Sequence, residues 1–242
     1  MISMVSDDDA SRHVWCDEET GALRALAPGS LVIESSTISP SWASDLAEKS
    51  RALGLRFLDA PVVGSRPQAE NGSLVHLVGG AASDVEQAAP VLAAMGCAIH
   101  RMGLTPSGAI TKLAVNALFV SQVATLAELF NATARAGVDV SAMLAVLSTL
   151  PVMSPAAKVA GAAIADQRFE PLFPIGLVAK DLRYAAESAR ASGSMVPLVE
   201  RLVTVFERAV AKGLSGENVT AIAKIYDPRA KAENATNEEK RA

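Results

Sequence analysis

The hydrophobic period of this chain changes once, near Gly103, and that single change limits the folds open to it. Before it, apolar runs of strand length, over residues 2–5, 31–34, 55–58, 74–78 and 97–100, alternate with helix-like segments over 8–15, 41–53 and 82–95. Ser6 or Asp7 is placed to cap the first of these helices, while Gly54 and Gly96 stop the other two. Residues 61–72 read as a loop. After Gly103, residues 107–226 carry a helical period broken only by Gly and Pro, with helices expected over 107–136, 141–147, 155–165, 176–191, 197–212 and 217–226. Elements of these two kinds pack as an α/β layer domain, residues 1–103, followed by an all-α domain, residues 104–226. The remaining segment, 227–242, is charged, rich in Ala and Asn and without an apolar face, so it is expected to be frayed or disordered.

Composition excludes several functions. Half of the 242 residues are hydrophobic and the net charge is -4, the profile of a chain that buries its own core. Cys16 and Cys97 have no metal-ligand spacing and could form one bridge at most, so neither a metal centre nor a disulfide scaffold is expected. A mildly acidic chain with 4% aromatic residues offers neither a phosphate-binding patch nor a base-stacking platform, so no nucleic-acid partner is expected. The most apolar stretch, 109–127, is interrupted by Lys112, Asn116 and Gln122, which argues against a membrane span. The run Asp7-Asp8-Asp9 has the wrong charge for a signal peptide, and the expected compartment is cytoplasmic.

Lys112 is the only ionisable residue between Arg101 and Glu128, and it falls on a helix apolar almost all round and therefore expected to be covered on several faces. A lysine there either snorkels to solvent or serves as a proton donor of tunable pKa. Asn116, four residues on, shares its face and can share a ligand with it, an arrangement suited to general acid chemistry on a carbonyl or hydroxyl. Asp59-Ala60-Pro61-Val62-Val63-Gly64-Ser65 leaves a strand through small residues, either as a plain turn or as a backbone cradle for a substrate carboxylate. Glu34-Ser35-Ser36-Thr37-Ile38-Ser39-Pro40 sets hydroxyls at a strand's carboxyl end, as helix cap or as ligand contact. Lys180-Asp181-Leu182 lies early in a helix. His13, His76 and His100 have no partner at a recognisable spacing and are assigned no role.

Together these segments resemble the β-hydroxyacid dehydrogenase family, from about residue 2 to residue 226. The family's substrate loop D-A-P-V-S-G-G, followed by A-x-x-G-x-L, is similar to Asp59–Ser65 with Ala69, Gly72 and Leu74. Its motif G-x-x-G-x-G-x-x-x-K-x-x-x-N is similar to Gly103, Gly108, Lys112 and Asn116, and its K-D-L to residues 180–182. The resemblance implies a partial Rossmann-like domain followed by a helical domain of the 6-phosphogluconate dehydrogenase C-terminal type, which dimerises. It implies an NAD- or NADP-dependent oxidoreductase acting on a small 3-hydroxy acid or its aldehyde. Lys112 would be the acid/base, Asn116, Gly64 and Ser65 would hold the substrate, and Val5, Ser6, Thr37 and Lys180 would meet the cofactor.

Departures qualify that resemblance. Val63 replaces the loop's serine, Ser65 its second glycine, Glu34 the family's aspartate and Pro106 a motif glycine. No G-x-G occurs in the 242 residues, although the family opens with a G-x-G-x-x-G turn that seats the cofactor pyrophosphate. Residues 1–5 align within the nucleotide domain, as though two βα units, on the order of 60 residues, were missing before them. Weak cofactor binding is therefore expected, and the alternative to an enzyme is a non-catalytic, dimerising remnant.

Overall fold

A computed structural model describes residues 1–226; the segment 227–242 lies outside the described residues, and with it the expectation of a disordered tail. Strands β1 (Ile2–Ser3), β2 (Leu31–Glu34) and β3 (Arg56–Asp59) run parallel, in the order β1-β2-β3. β5 (Leu74–Gly79) runs antiparallel to β3 and to β4 (Val62–Val63), and β6 (Gly96–Gly103) lies parallel to β5. β3 and β4 share one register against β5, pairing Asp59 with Gly79 and Val62 with His76. Pro61 interrupts them because it has no N–H, yet its carbonyl still accepts from Leu77 N at 2.9 Å and the ladder continues.

Side chains alternate across this sheet as strand geometry requires. Val32 and Phe57 face α1 (Asp8–Cys16) and α2 (Pro40–Ala52), where Trp15 and Trp42 are fully buried. Ile33, Leu58 and Val78 face α4 (Ala82–Ala93) through Val85, Ala88 and Leu92. Asp7 caps α1 through its side chain, and Ser39 caps α2 with Pro40 in its first turn. The expected loop over 61–72 instead contains β4 and a short helix α3 (Arg66–Glu70) begun by a Ser65/Gln68 capping box.

The helical part comprises α5 (Ser107–Arg135), α6 (Val140–Thr149), α7 (Pro155–Ala165), α8 (Ile175–Ala191) and α9 (Pro197–Ala211). The last expected helix is a 3-10 segment, Val219–Ile225. Asn218 directs its side chain to Thr220 Oγ1 and to the amides of Leu172 and Phe173, which competes with an α-helical start. By compactness, Met1–Asn116 with Lys180–Val196 forms one unit, and Ala117–Ala179 with the described residues from Pro197 forms the other. α5 and α8 each contribute to both units.

α5 is covered on part of its surface within the described residues. Ala109, Leu113, Val120, Val123 and Phe130 are buried, whereas Ile110, Leu118 and Leu129 are 48%, 66% and 44% exposed. An 18-residue window of α5 has mean hydropathy 1.6, long and apolar enough by composition to cross a membrane, and 44% of it is buried within the protein.

The start of α5 approaches the sheet so closely that only glycine fits at position 108. A Cβ there would stand 2.5 Å from the carbonyl oxygen of Leu77 and 2.6 Å from that of Asp59, and neither backbone atom can turn away. Gly108→Ala is expected to destabilise the fold by about 3 kcal/mol, read by denaturant unfolding.

Candidate active site

Lys112 lies in the second turn of α5 and is 9% exposed. Its Nζ makes no hydrogen bond among the described residues. Burial pulls its pKa down to about 8; the negative charge of Asp181 resists that fall and the positive charge of Lys180 adds to it. Asn116, one turn along the same face, donates from Nδ2 to Asp181 Oδ2 at 2.7 Å. Burial raises the Asp181 carboxyl pKa, opposed by Lys180 and by that amide. Asp181 Oδ1 stands 3.1 Å from Lys180 Nζ, close enough for an ion pair but outside the directions of a hydrogen bond.

The Lys180 ammonium points its protons elsewhere. It donates to the carbonyls of Ser6 and Thr37, each at 2.6 Å, so one side chain ties the segment after β1 to the segment after β2. These two hydrogen bonds, with the ion pair to Asp181 beside them, fix Lys180 as an internal staple at 7% exposure. Val5 N adds a second tie, donating to Ser36 Oγ at 2.7 Å. Tyr184, one turn along α8, stacks 5.2 Å from Lys180 Nζ and accepts from Asp8 N at 3.4 Å; burial pushes its phenol up to about 12.

Two fully buried carboxylates stand behind these segments, paired in register at the ends of β2 and β3. Glu34 accepts from Ser11 Oγ, Trp15 Nε1 and Ser36 N at 2.6, 2.7 and 2.9 Å, satisfying a charge that would be costly bare. Asp59 Oδ2 accepts from Ala109 N at 2.9 Å. Neither function was legible in sequence, because the helical partners Ser11, Trp15 and Ala109 lie 19 to 50 residues away in helices whose docking no local pattern specifies. Asn116 to Asp181 spans 65 residues and was hidden for the same reason.

Gly64 and Ser65 form no hydrogen bond to any of these groups among the described residues. Gly64 has φ +130°, and a Cβ there would meet Gln68 and Leu74 side-chain carbons at 2.9 Å, so the loop requires glycine. The Ser65 amide is already bound by Gln68 Oε1 at 2.9 Å.

The sequence-predicted residues thus fall into one linked set, Lys112–Asn116–Asp181–Lys180 continuing to Ser6, Thr37 and Val5, and a separate Gly64–Ser65 loop. Half-buried Val5 and Thr37 and exposed Ser6 sit at the carboxyl ends of parallel strands, where open α/β sheets receive a dinucleotide. The carbonyls of Ser6 and Thr37, gathered on one ammonium, form a fixed edge there.

Residues 1–103 match the NAD binding domain of 6-phosphogluconate dehydrogenase, and residues 106–226 match the NAD-binding domain of NADP-dependent 3-hydroxyisobutyrate dehydrogenase. The NAD-dependent L-serine dehydrogenase of Pseudomonas aeruginosa is 32% identical, over 94% of this chain and 78% of that protein. Glyoxylate/succinic semialdehyde reductase 2 of Arabidopsis thaliana is 28% identical, over 91% of this chain and 62% of its own length. The crystal structure of 3-hydroxyisobutyrate dehydrogenase from Salmonella typhimurium superposes with a TM-score of 0.83 at 29% identity, over 93% of this chain and 78% of that one. The chain therefore spans between 62% and 78% of the length of these relatives. With a lysine and asparagine one turn apart on a buried helix face, and with both halves matched, the chain belongs to the β-hydroxyacid dehydrogenase family of NAD(P)-dependent oxidoreductases.

Proposed function

We propose that this chain catalyses reversible hydride transfer between NAD or NADP and a small 3-hydroxy acid or its aldehyde, with Lys112 as the general acid/base. The observation that carries this reading is a buried lysine with no hydrogen-bond partner among the described residues, its pKa lowered to about 8, beside an amide fixed by Asp181. When bound, the nicotinamide supplies or accepts the hydride. In the reducing direction Lys112 delivers a proton from Nζ to the carbonyl oxygen, and in the oxidising direction its free amine removes the proton of the hydroxyl. Asn116 keeps its Oδ1 and one N–H for the substrate, because a single N–H is committed to Asp181. Gly64 and Ser65 take the substrate's carboxylate, for which Gln68 has to release the Ser65 amide. Val5, Ser6 and Thr37 line the nicotinamide side, and Lys180 serves them by holding two carbonyls in place.

The 242 residues contain no G-x-G turn for the pyrophosphate, so cofactor affinity is expected to be weak, and assays call for millimolar NAD(P). Calorimetric titration with NADH and NADPH, followed by reduction assays on short semialdehydes, tests the proposal. Measurable turnover that depends on Lys112 supports it. Neither binding nor turnover at millimolar cofactor would favour the non-catalytic, dimerising module.

A second copy of the chain is proposed to cover the apolar surface left open. In α6 no residue is buried, and Val146, Val152 and Val159 are 59%, 70% and 72% exposed. Light scattering is expected to give a dimer or larger assembly at micromolar concentration, and a stable monomer would contradict this.

A further inference from the structure

We infer that Asp59 is a positioning residue for Lys112: its buried carboxylate holds the first turn of α5 against the carboxyl end of β3 and so sets where the Lys112 ammonium stands. This rests on the reading of Lys112 as the acid/base but concerns a different residue, and it can be tested without turnover.

The seat is built for a carboxylate. Asp59 has no exposed surface, and its Oδ2 accepts from Ala109 N, two residues into α5 and three before Lys112. An anion at that point compensates the unpaired amides and positive end of a 29-residue helix. Two glycines make room for it. A Cβ at Gly79 would stand 2.3 Å from Asp59 Oδ1, and one at Gly108 would stand 2.8 Å from Oδ2. Lys112 itself makes no hydrogen bond among the described residues, so its place is inherited from the helix that carries it. The same strand continues from Asp59 into the Gly64–Ser65 loop, so this carboxylate joins both parts of the proposed site through the backbone.

Asp59 can also lose its charge at moderate pH. Its Oδ1 has no hydrogen-bond partner among the described residues, and burial raises its pKa to about 6, resisted chiefly by the Ala109 amide. The groups facing it are Ala109 and Gly108 from α5, Gly79 from β5 and Thr105 from the preceding turn, none of which titrates. In the sheet its register neighbour is Glu34, whose carboxylate is bound by Ser11, Trp15 and Ser36. On the first two turns of α5 the charged residue is Lys112. Above pH 6 the ionised carboxylate grips the amide; below it the neutral acid grips less strongly.

Two measurements test the inference. In the unmodified chain, hydrogen exchange followed by NMR is expected to show the protection factor of the Ala109 amide falling roughly 10-fold as pH drops through about 6, while that of Val123 farther along α5 stays level. In Asp59→Asn, with the lysines carrying isotopic methyl labels, the Lys112 titration midpoint is expected to rise by about one pH unit as the looser first turn admits water. If turnover is measurable, kcat of Asp59→Asn falls roughly 10-fold with KM unchanged, and the loss of activity of the parent chain below pH 6 disappears. Level Ala109 protection across that pH range overturns the inference, and so does a folded Asp59→Asn chain with an unmoved Lys112 midpoint. If Asp59→Asn does not fold, the exchange measurement on the unmodified chain decides alone. Absence of hydride transfer would remove the proposed function and leave both spectroscopic outcomes readable.

Discussion

Lys112→Met is expected to produce a chain that is more stable than the parent and nearly inactive. The ordinary lysine pKa of 10.5 falls to about 8 in the fold, chiefly through desolvation. A folded pKa below the unfolded one means that the protonated form destabilises the native state. That penalty is complete below pH 8, shrinks as pH rises from 8 towards 10.5, and amounts to on the order of 3 kcal/mol at neutral pH. Methionine fills the same space without the charge, so the denaturation midpoint should rise at pH 7 and the gain should vanish by about pH 10.5. Turnover should fall by roughly 10²-fold or more, the usual scale for losing a general acid. A less stable Lys112→Met chain, or one with near-normal kcat, would remove Lys112 from this role.

Lys180→Met carries the second large effect. It leaves Asp181 buried at 4% exposure with Asn116 as its hydrogen-bonded partner among the described residues, and it releases the carbonyls of Ser6 and Thr37. Breaking a buried pair from one side costs about 3 to 5 kcal/mol. The KM for NAD(P)H is expected to rise at least 10-fold, since the two segments proposed to line the nicotinamide side lose their common tie. Lys180→Met with Asp181→Asn separates the two consequences. The double variant removes the bare charge and should recover most of the stability, while the cofactor KM stays high because nothing rejoins Ser6 to Thr37. Recovery of both properties together would show that Lys180 acts only on the fold.

The proposed site was partly legible in the sequence for reasons of spacing. Lys112 and Asn116 stand four apart on one helix, and Lys180 is adjacent to Asp181, so local geometry placed each pair. What joins the pairs is not local. The contact between Asn116 and Asp181, and the reach of Lys180 to Ser6 and Thr37 across 174 and 143 residues, depend on how two helices meet the sheet. The period change at Gly103 separated the strands from the long helices, but Val62–Val63 was too short and too close to Pro61 to read as strand. The Ser65-Arg66-Pro67-Gln68 run did carry a capping-box signal for α3 and could have been read. Composition does not say which face of α5 is covered, because an apolar residue reports what it prefers and not whether a neighbour covers it; Leu118 at 66% exposure is the case in point.

The central claim is that one group, Lys112, both gives and takes the proton, and the pH dependence of both reaction directions tests it most directly. With millimolar cofactor, kcat for aldehyde reduction should be level between about pH 6 and pH 8 and fall above pH 8, as the ammonium is lost. Oxidation of the hydroxy acid should rise towards pH 8 and level off above it, as the free amine appears. Mirror-image limbs with one shared midpoint near 8, both absent from the residual activity of Lys112→Ala, are the expected result. Limbs at unrelated pH values, or limbs that persist unchanged in Lys112→Ala, would contradict it.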